Sequence, residues 1–234
     1  MSDSYQIYFG GDLFDHKDLI GNELLATYLE KISEGRYQVY LPQNLEQKDA
    51  TALDIRNQDL KMVLECDVAL FMFDGTELDA GAVAEFMVAK FLDIPTVIMR
   101  SDFRSSGEAD VGGDDWNLMC SFYPRTEAVQ FSSIIVYQEE MLAGTSLQDG
   151  MERLYTRIAA MIIEKLDLVR KASPVFQGDR SELEALYRWA LTFPAGTLDS
   201  LLADASYVEK IVDSKLKKKL IACNRKRYAN VKMV

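Results

Sequence analysis

Short apolar runs and stretches of helical spacing take turns along the first part of the chain. Gln6–Phe9 (QIYF) reads as a strand, cut off by Gly10-Gly11-Asp12, a break that opens a loop at a sheet edge. Leu24, Leu25, Tyr28 and Ile32 then share one face of a helix over 19–32. Gln38–Leu41 reads as a second strand, stopped by Pro42, and residues 54–64 as a second helix. Val68–Phe73 (VALFMF) is continuously apolar, as expected of a strand covered on both faces. A third helix over 80–92 and a buried strand at Thr96–Met99 (TVIM) follow, and Ile134–Tyr137 (IIVY) is predicted as the last strand.

This alternation predicts an α/β fold with a parallel, doubly wound sheet of the flavodoxin or Rossmann-like kind and right-handed crossovers. Ligands bind such sheets beyond the carboxyl ends of the strands. Those ends carry GGD, PQN and DGTELD. The polar, glycine-rich stretch 101–116 reads as a long loop able to act as a lid. From Leu147 the character changes. A long amphipathic helix over 151–169 precedes a connector at 173–179 and helices over 182–191 and 207–223. The expected organisation is an α/β domain over 1–145 and a helical C-terminal extension over 146–234, which packs on the core and extends a subunit interface. Leu186, Tyr187, Trp189 and Phe193 are assigned to that packing.

The 234 residues are 48% hydrophobic, enough for a sizeable core. No apolar run reaches the roughly 18 residues of a membrane span, and the N-terminus lacks the pattern of a signal peptide. Three widely spaced cysteines (Cys66, Cys120, Cys223) match neither a disulfide framework nor a zinc site, which suits a reducing cytoplasm. The single histidine, His16, leaves little support for a His-based metal site or a Ser-His-Asp triad. Net charge is −11, yet residues 210–234 hold nine basic residues and one acid, Asp213, so the rest of the chain carries −19. An acidic body argues against nucleic acid as its partner. The basic tail reads as a solvated helix face or as a docking element for an acidic surface.

The candidate chemistry lies in DGTELDAGAVAEF, residues 74–86. Asp79 suits an N-cap, and the small residues around Gly81 let the helix start lie close to a ligand. Glu85 falls six residues after Asp79, in a confined, mostly apolar setting. A carboxylate there has a raised pKa unless a donor stabilises it, and Tyr8 at the end of the first strand is the expected donor. Such a group attacks an electron-poor carbon, while a second carboxylate, with Asp59 as the candidate, handles the proton of a leaving group. Spacing alone leaves the competing reading open: Glu85 as an ordinary surface glutamate, Asp79 as only a cap, and Asp59 and Asp67 as solvated acids.

Several stretches in order resemble the nucleoside 2-deoxyribosyltransferase family: IYFGGDLF (7–14), LPQN (41–44), ALDIRNQDLKMVLECDVAL (52–70), ELDAGAVAEF (77–86) and WNLM (116–119). The resemblance covers roughly residues 5–140. It implies Glu85 as the nucleophile that forms a covalent deoxyribosyl-enzyme, and Asp59 as the carboxylate that assists proton transfer to the departing base. It implies Asp79 at the sugar hydroxyls or sharing that proton work, and Tyr8 orienting the nucleophile. Substrate binding would involve Gly10, Asn44, Gly81, Asn117 and Met119, with Asn117 lent to the site of a neighbouring subunit. The implied partners are a deoxynucleoside and a free nucleobase, the implied assembly is a homo-oligomer, and no cofactor or metal is required. The family often has Asp-Asn where this chain has Gln43-Asn44, and the chain continues past the point where compact members end, so Val234 takes no role from it.

Two other readings stand beside this one. Relatives of the same fold hydrolyse the N-glycosidic bond of nucleosides or nucleoside 5′-monophosphates, and Ser101, Arg104, Ser105 and Ser106 are candidates for holding a 5′-phosphate. A non-catalytic nucleotide-binding module with an effector region after residue 146 is the other.

Overall fold

A computed structural model describes residues 4–45, 50–104 and 113–222. Five strands form one sheet: β1 (Tyr5–Gly10), β2 (Tyr37–Tyr40), β3 (Val68–Met72), β4 (Thr96–Arg100) and β5 (Thr126–Gln130). All neighbours are parallel and the spatial order is β2-β1-β3-β4-β5, the flavodoxin-like order. Order reverses at β1, so a crevice opens between its carboxyl end and that of β3. The helices are α1 (His16–Ile32), α2 (Ala52–Glu65), α3 (Ala80–Phe91), α4 (Ser133–Ala143), α5 (Leu147–Val169), α6 (Arg180–Thr192) and α7 (Tyr207–Lys217).

Side chains of the inner strands alternate between two cores, one on each face of the sheet. Ile7, Phe9, Val68, Leu70, Val97 and Met99 join α1 and α5 on one face. Tyr8, Ala69, Phe71, Phe73 and Ile98 join α2, α3, α6 and α7 on the other. The helix at 147–169, with which the expected C-terminal extension begins, lies in the layer that covers the sheet: its Ala159, Ile162, Leu166 and Val169 are buried with β1, β3 and β4.

The last strand differs from expectation. Residues 134–137 belong to helix α4, and β5 is the polar segment TEAVQ. Of IIVY only Val136 is buried, whereas Ile134, Ile135 and Tyr137 are exposed, so the run presents one buried position to α5 and not a strand face. The helix expected to reach residue 223 ends at Lys217, and Cys223 lies outside the described residues.

Buried polar groups fasten the C-terminal helices to the sheet. Arg125 is buried, pairs with Asp93 at 3.2 Å and donates to the Asp93 and Leu220 carbonyls. Asp93 in turn accepts from the amides of Val175 and Phe176. The buried Lys215 of α7 donates to the Cys66 carbonyl, and Lys218 pairs with Asp67 at 2.5 Å. Asp67, expected to be solvated, is thus buried and paired, because α7 folds back over the start of β3. In α6, Tyr187 is buried and Leu186 packs on the core. Trp189 and Phe193 depart from the expected packing: they are exposed and lie against each other with ring centroids 5.0 Å apart.

Candidate active site

The carboxyl end of β1 meets the start of α3. Asp79 caps that helix, its side chain accepting from the Ala82 amide at 2.7 Å. A Cβ added at Gly81 would lie 2.9 Å from the Asp79 carboxylate, so the glycine leaves room for the cap. Glu85 follows on the next turn, partly buried. A Cβ added at Gly10 would fall 2.9 Å from Glu85 Oε2 and 2.7 Å from the Phe71 ring. The glutamate carboxylate therefore occupies the space that any side chain at position 10 would need.

Beneath it lies an aromatic floor. Phe71 and Phe73 both contact Phe86, at centroid distances of 5.6 and 5.4 Å, and Phe73 meets Trp116 at 6.1 Å. Burial is the largest cause that pushes the Glu85 pKa up to about 7. Tyr8 pulls it down by hydrogen bonding, while the negative charges of Asp59 and Asp79 push it up. Tyr8 is fully buried, and among the described residues its hydroxyl meets no partner at full hydrogen-bond geometry. Its coupling to Glu85 is accordingly a loose contact in this structure. Burial first, then Glu85 and Asp59, drive the phenol's own pKa far above its usual value, so Tyr8 stays protonated and acts as a donor.

The structure thus brings Tyr8, Gly10, Asp59, Asp79, Gly81 and Glu85 to one crevice. A carboxyl balanced near neutrality, with a protonated phenol and further acids around it, suits nucleophilic attack when ionised and proton exchange when not. Asn44 is exposed, and its carboxamide donates to Glu23 of α1 at 3.0 Å. Asn117 is exposed too and caps a 3₁₀ turn at Leu118–Cys120, accepting from the Met119 amide at 2.9 Å. Leu118, Met119 (73% exposed) and Phe122 (77%) make this turn an apolar projection beside α3. Ser101 and Arg104 are engaged with acids: the Ser101 hydroxyl donates to Asp74 at 2.7 Å, and Arg104 pairs with Asp102 at 2.6 Å. Ser105 and Ser106, with most of the expected lid, lie outside the described residues.

Sequence reading passed over two groups. Asp12, in the loop after β1, has its pKa raised by burial first and then by Asp79, Asp18, Asp74 and Asp15, so it belongs to the same acidic rim. Its only sequence signal was its place in GGD at a strand end. Arg100 ends β4 and is buried; it donates to the carbonyls of Phe73, Gly75 and Arg104. Asp74 closes the same junction by accepting from the amides of Ser101 and Asp102. These bonds hold the loop that precedes α3 against the one that follows β4. Among the described residues, no group of three or more His, Cys, Asp or Glu side chains is arranged to hold a metal ion, and no helix is long and apolar enough to cross a membrane.

A parallel doubly wound sheet with a half-buried carboxylate in its strand-end crevice defines a class of small-molecule site. Residues 7–128 match the family model of nucleoside 2-deoxyribosyltransferase. The chain belongs to that family of enzymes. Among solved structures it is similar to a conserved protein from Enterococcus faecalis V583, at 24% identity over 66% of this chain and 99% of that one, with a TM-score of 0.46. A 2-deoxyribosyltransferase from Leishmania mexicana matches at 20% identity over 50% and 86% of the two chains, with a TM-score of 0.42. A CMP N-glycosidase from Clostridium botulinum matches at 11% identity over 58% and 96%, with a TM-score of 0.41. No curated protein matches the chain.

Proposed function

We propose that this chain exchanges the nucleobase of 2′-deoxyribonucleosides, with Glu85 as the covalent nucleophile. The observation that carries the reading is the seat of Glu85: its carboxylate fills the space over Gly10 at the strand end, on an aromatic floor, with a pKa pushed up to about 7. A deoxynucleoside in the crevice would present C1′ to Glu85. The carboxylate oxygen bonds to C1′ as the C1′–N bond breaks, and the electron pair of that bond leaves with the base. Asp59 supplies the proton that the leaving base needs. The incoming base then attacks C1′ from the opposite side, displaces Glu85 and gives its proton back. Two displacements retain the anomeric configuration. The transition state is cation-like, and the anionic carboxylate stabilises it most where water is excluded.

Asp79 is assigned to the sugar hydroxyls, and Tyr8 to orienting Glu85. Asn117 and Met119, on the exposed apolar turn, are assigned to a neighbouring subunit's site, since a projection of that kind marks an interface. The helical segment from residue 146 would brace the domain and extend that interface. The buried free thiols of Cys66 and Cys120 suit a reducing cytoplasm. Hydrolysis of nucleoside 5′-monophosphates is the second reading; the engagement of Ser101 and Arg104 with Asp74 and Asp102 weighs against those two as its phosphate ligands.

The test is incubation with 2′-deoxyinosine with and without adenine, followed by chromatography. Formation of 2′-deoxyadenosine, lost in Glu85→Gln, is the expected result. Release of free sugar at the same rate with and without adenine would show a hydrolase. Binding with no turnover would show a non-catalytic module.

A further inference from the structure

Positive charge gathers at the pole of the sheet away from Glu85. A cleft of about 760 Å³ opens beside Tyr5, the first residue of β1. Five strand steps separate Tyr5 from Gly10, so the cleft lies roughly 17 Å from the carboxylate crevice. Its volume falls in the range of small-molecule sites. Arg36, Arg170, Lys217, Lys218 and Lys219 line it, against one acid, Glu34. This is a cationic surface on a chain of net charge −11.

Three separate segments build the cluster. Arg36 comes from the turn before β2, Arg170 from the C-cap of α5, and the lysines from the end of α7. Both arginines are fixed on one carboxylate: Asp167 lies 2.9 Å from Arg36 Nη1 and 3.1 Å from Arg170 Nε. Arg170 also donates to the hydroxyls of Tyr37 and Tyr5, each at 3.1 Å. Lys218 is held by Asp67. Lys219 stands exposed at the mouth beside these paired groups. Three helices, α1, α5 and α7, end around the cleft, and cations offset their dipoles. Yet Arg36, Arg170 and Lys218 donate to acids and hydroxyls, not to the last carbonyls of those helices. Arg36 Nε is buried with no hydrogen-bond partner, a donor left over inside the cluster. The Tyr5 ring has Arg170 at 4.7 Å and Lys218 at 5.7 Å from its centroid, so cations, not an aromatic ligand, cover it.

We propose that this cleft binds a multiply charged phosphate, either an inorganic polyphosphate or the phosphate chain of a nucleotide, at a site separate from Glu85. Fixed guanidinium groups match phosphate oxygens geometrically, and the exposed lysines add charge at the mouth. Affinity should fall with salt, because the attraction is between charges near the surface.

Titration calorimetry of the full chain with sodium tripolyphosphate tests this. The wild type should bind one equivalent saturably. The double variant Lys217→Gln/Lys219→Gln, altered at two exposed positions, should bind at least about tenfold more weakly, a loss of about 1.4 kcal/mol. Its melting temperature and base exchange should be unchanged. Lys219→Gln alone should show a smaller loss in the same direction. Displacement of tripolyphosphate by ATP would identify the nucleotide chain as the ligand, and failure of ATP to displace it would identify the inorganic chain. Absence of saturable tripolyphosphate binding, or equal binding by the double variant, would overturn the proposal.

Discussion

Glu85→Gln tests the electrostatics of the crevice without any substrate. The carboxyl titrates near 7 in the fold against 4.5 for a glutamate in water, with burial as the leading cause. A group whose native pKa is raised holds its proton more tightly when folded. Its contribution to stability is fully present below about 4.5 and is lost as pH rises through about 7. The gap is about 2.5 pH units, and at about 1.4 kcal/mol each the loss above neutrality comes to about 3 kcal/mol. Glutamine keeps the shape and carries no charge at any pH. The variant should therefore be more stable than wild type at pH 8 by up to about 3 kcal/mol, a rise of about 6–12 °C in Tm for a chain of this size. Near pH 4.5 the two should differ little. Urea unfolding followed by circular dichroism at both pH values measures this. Equal or lower stability of the variant at pH 8 would mean that the carboxylate is not burdened by its surroundings, and the case for a poised nucleophile would fail.

Other expected outcomes use the same neighbourhood and its supports. Tyr8→Phe removes the group that lowers the Glu85 pKa, and Asp59→Asn removes a charge that raises it, so the acid limb of the pH–rate profile should move up in the first and down in the second; movement in one direction for both would contradict the assignment. Gly10→Ala forces a methyl against Glu85 and Phe71 and should cost about 1–3 kcal/mol in thermal unfolding and most of the exchange activity; a fully active variant would place the carboxylate elsewhere. Arg125→Ala leaves Asp93 buried without its cation and should destabilise by about 3–5 kcal/mol in urea titration, with the crevice residues untouched.

The inner strands were readable because both faces are covered: VALFMF and TVIM are continuous apolar runs, and the fold follows from their alternation with helices. The edge was not. In TEAVQ only Val129 is buried, so the strand carries no apolar rhythm, while IIVY has strand-like residues in a helix that shows most of them to solvent. Cap chemistry was legible at Asp79, where a short acid precedes small helix formers. Long-range polar contacts were not: Arg100 joins two loops, and Lys215, Lys218 and Arg125 each find partners far away in sequence. Nothing local marks a lysine or arginine as buried. The same limit applied to Trp189 and Phe193, whose spacing suits a packed face although α6 turns them outward.

The central claim is that Glu85 bonds to C1′. Incubation with 2′-deoxyinosine and no acceptor base, an acid quench, proteolysis and mass spectrometry measure it directly. One deoxyribosyl unit is expected on the peptide that carries Glu85, discharged when adenine is added before the quench. Base exchange at full rate in a Glu85→Gln variant, or a sugar adduct on any other residue, would contradict it.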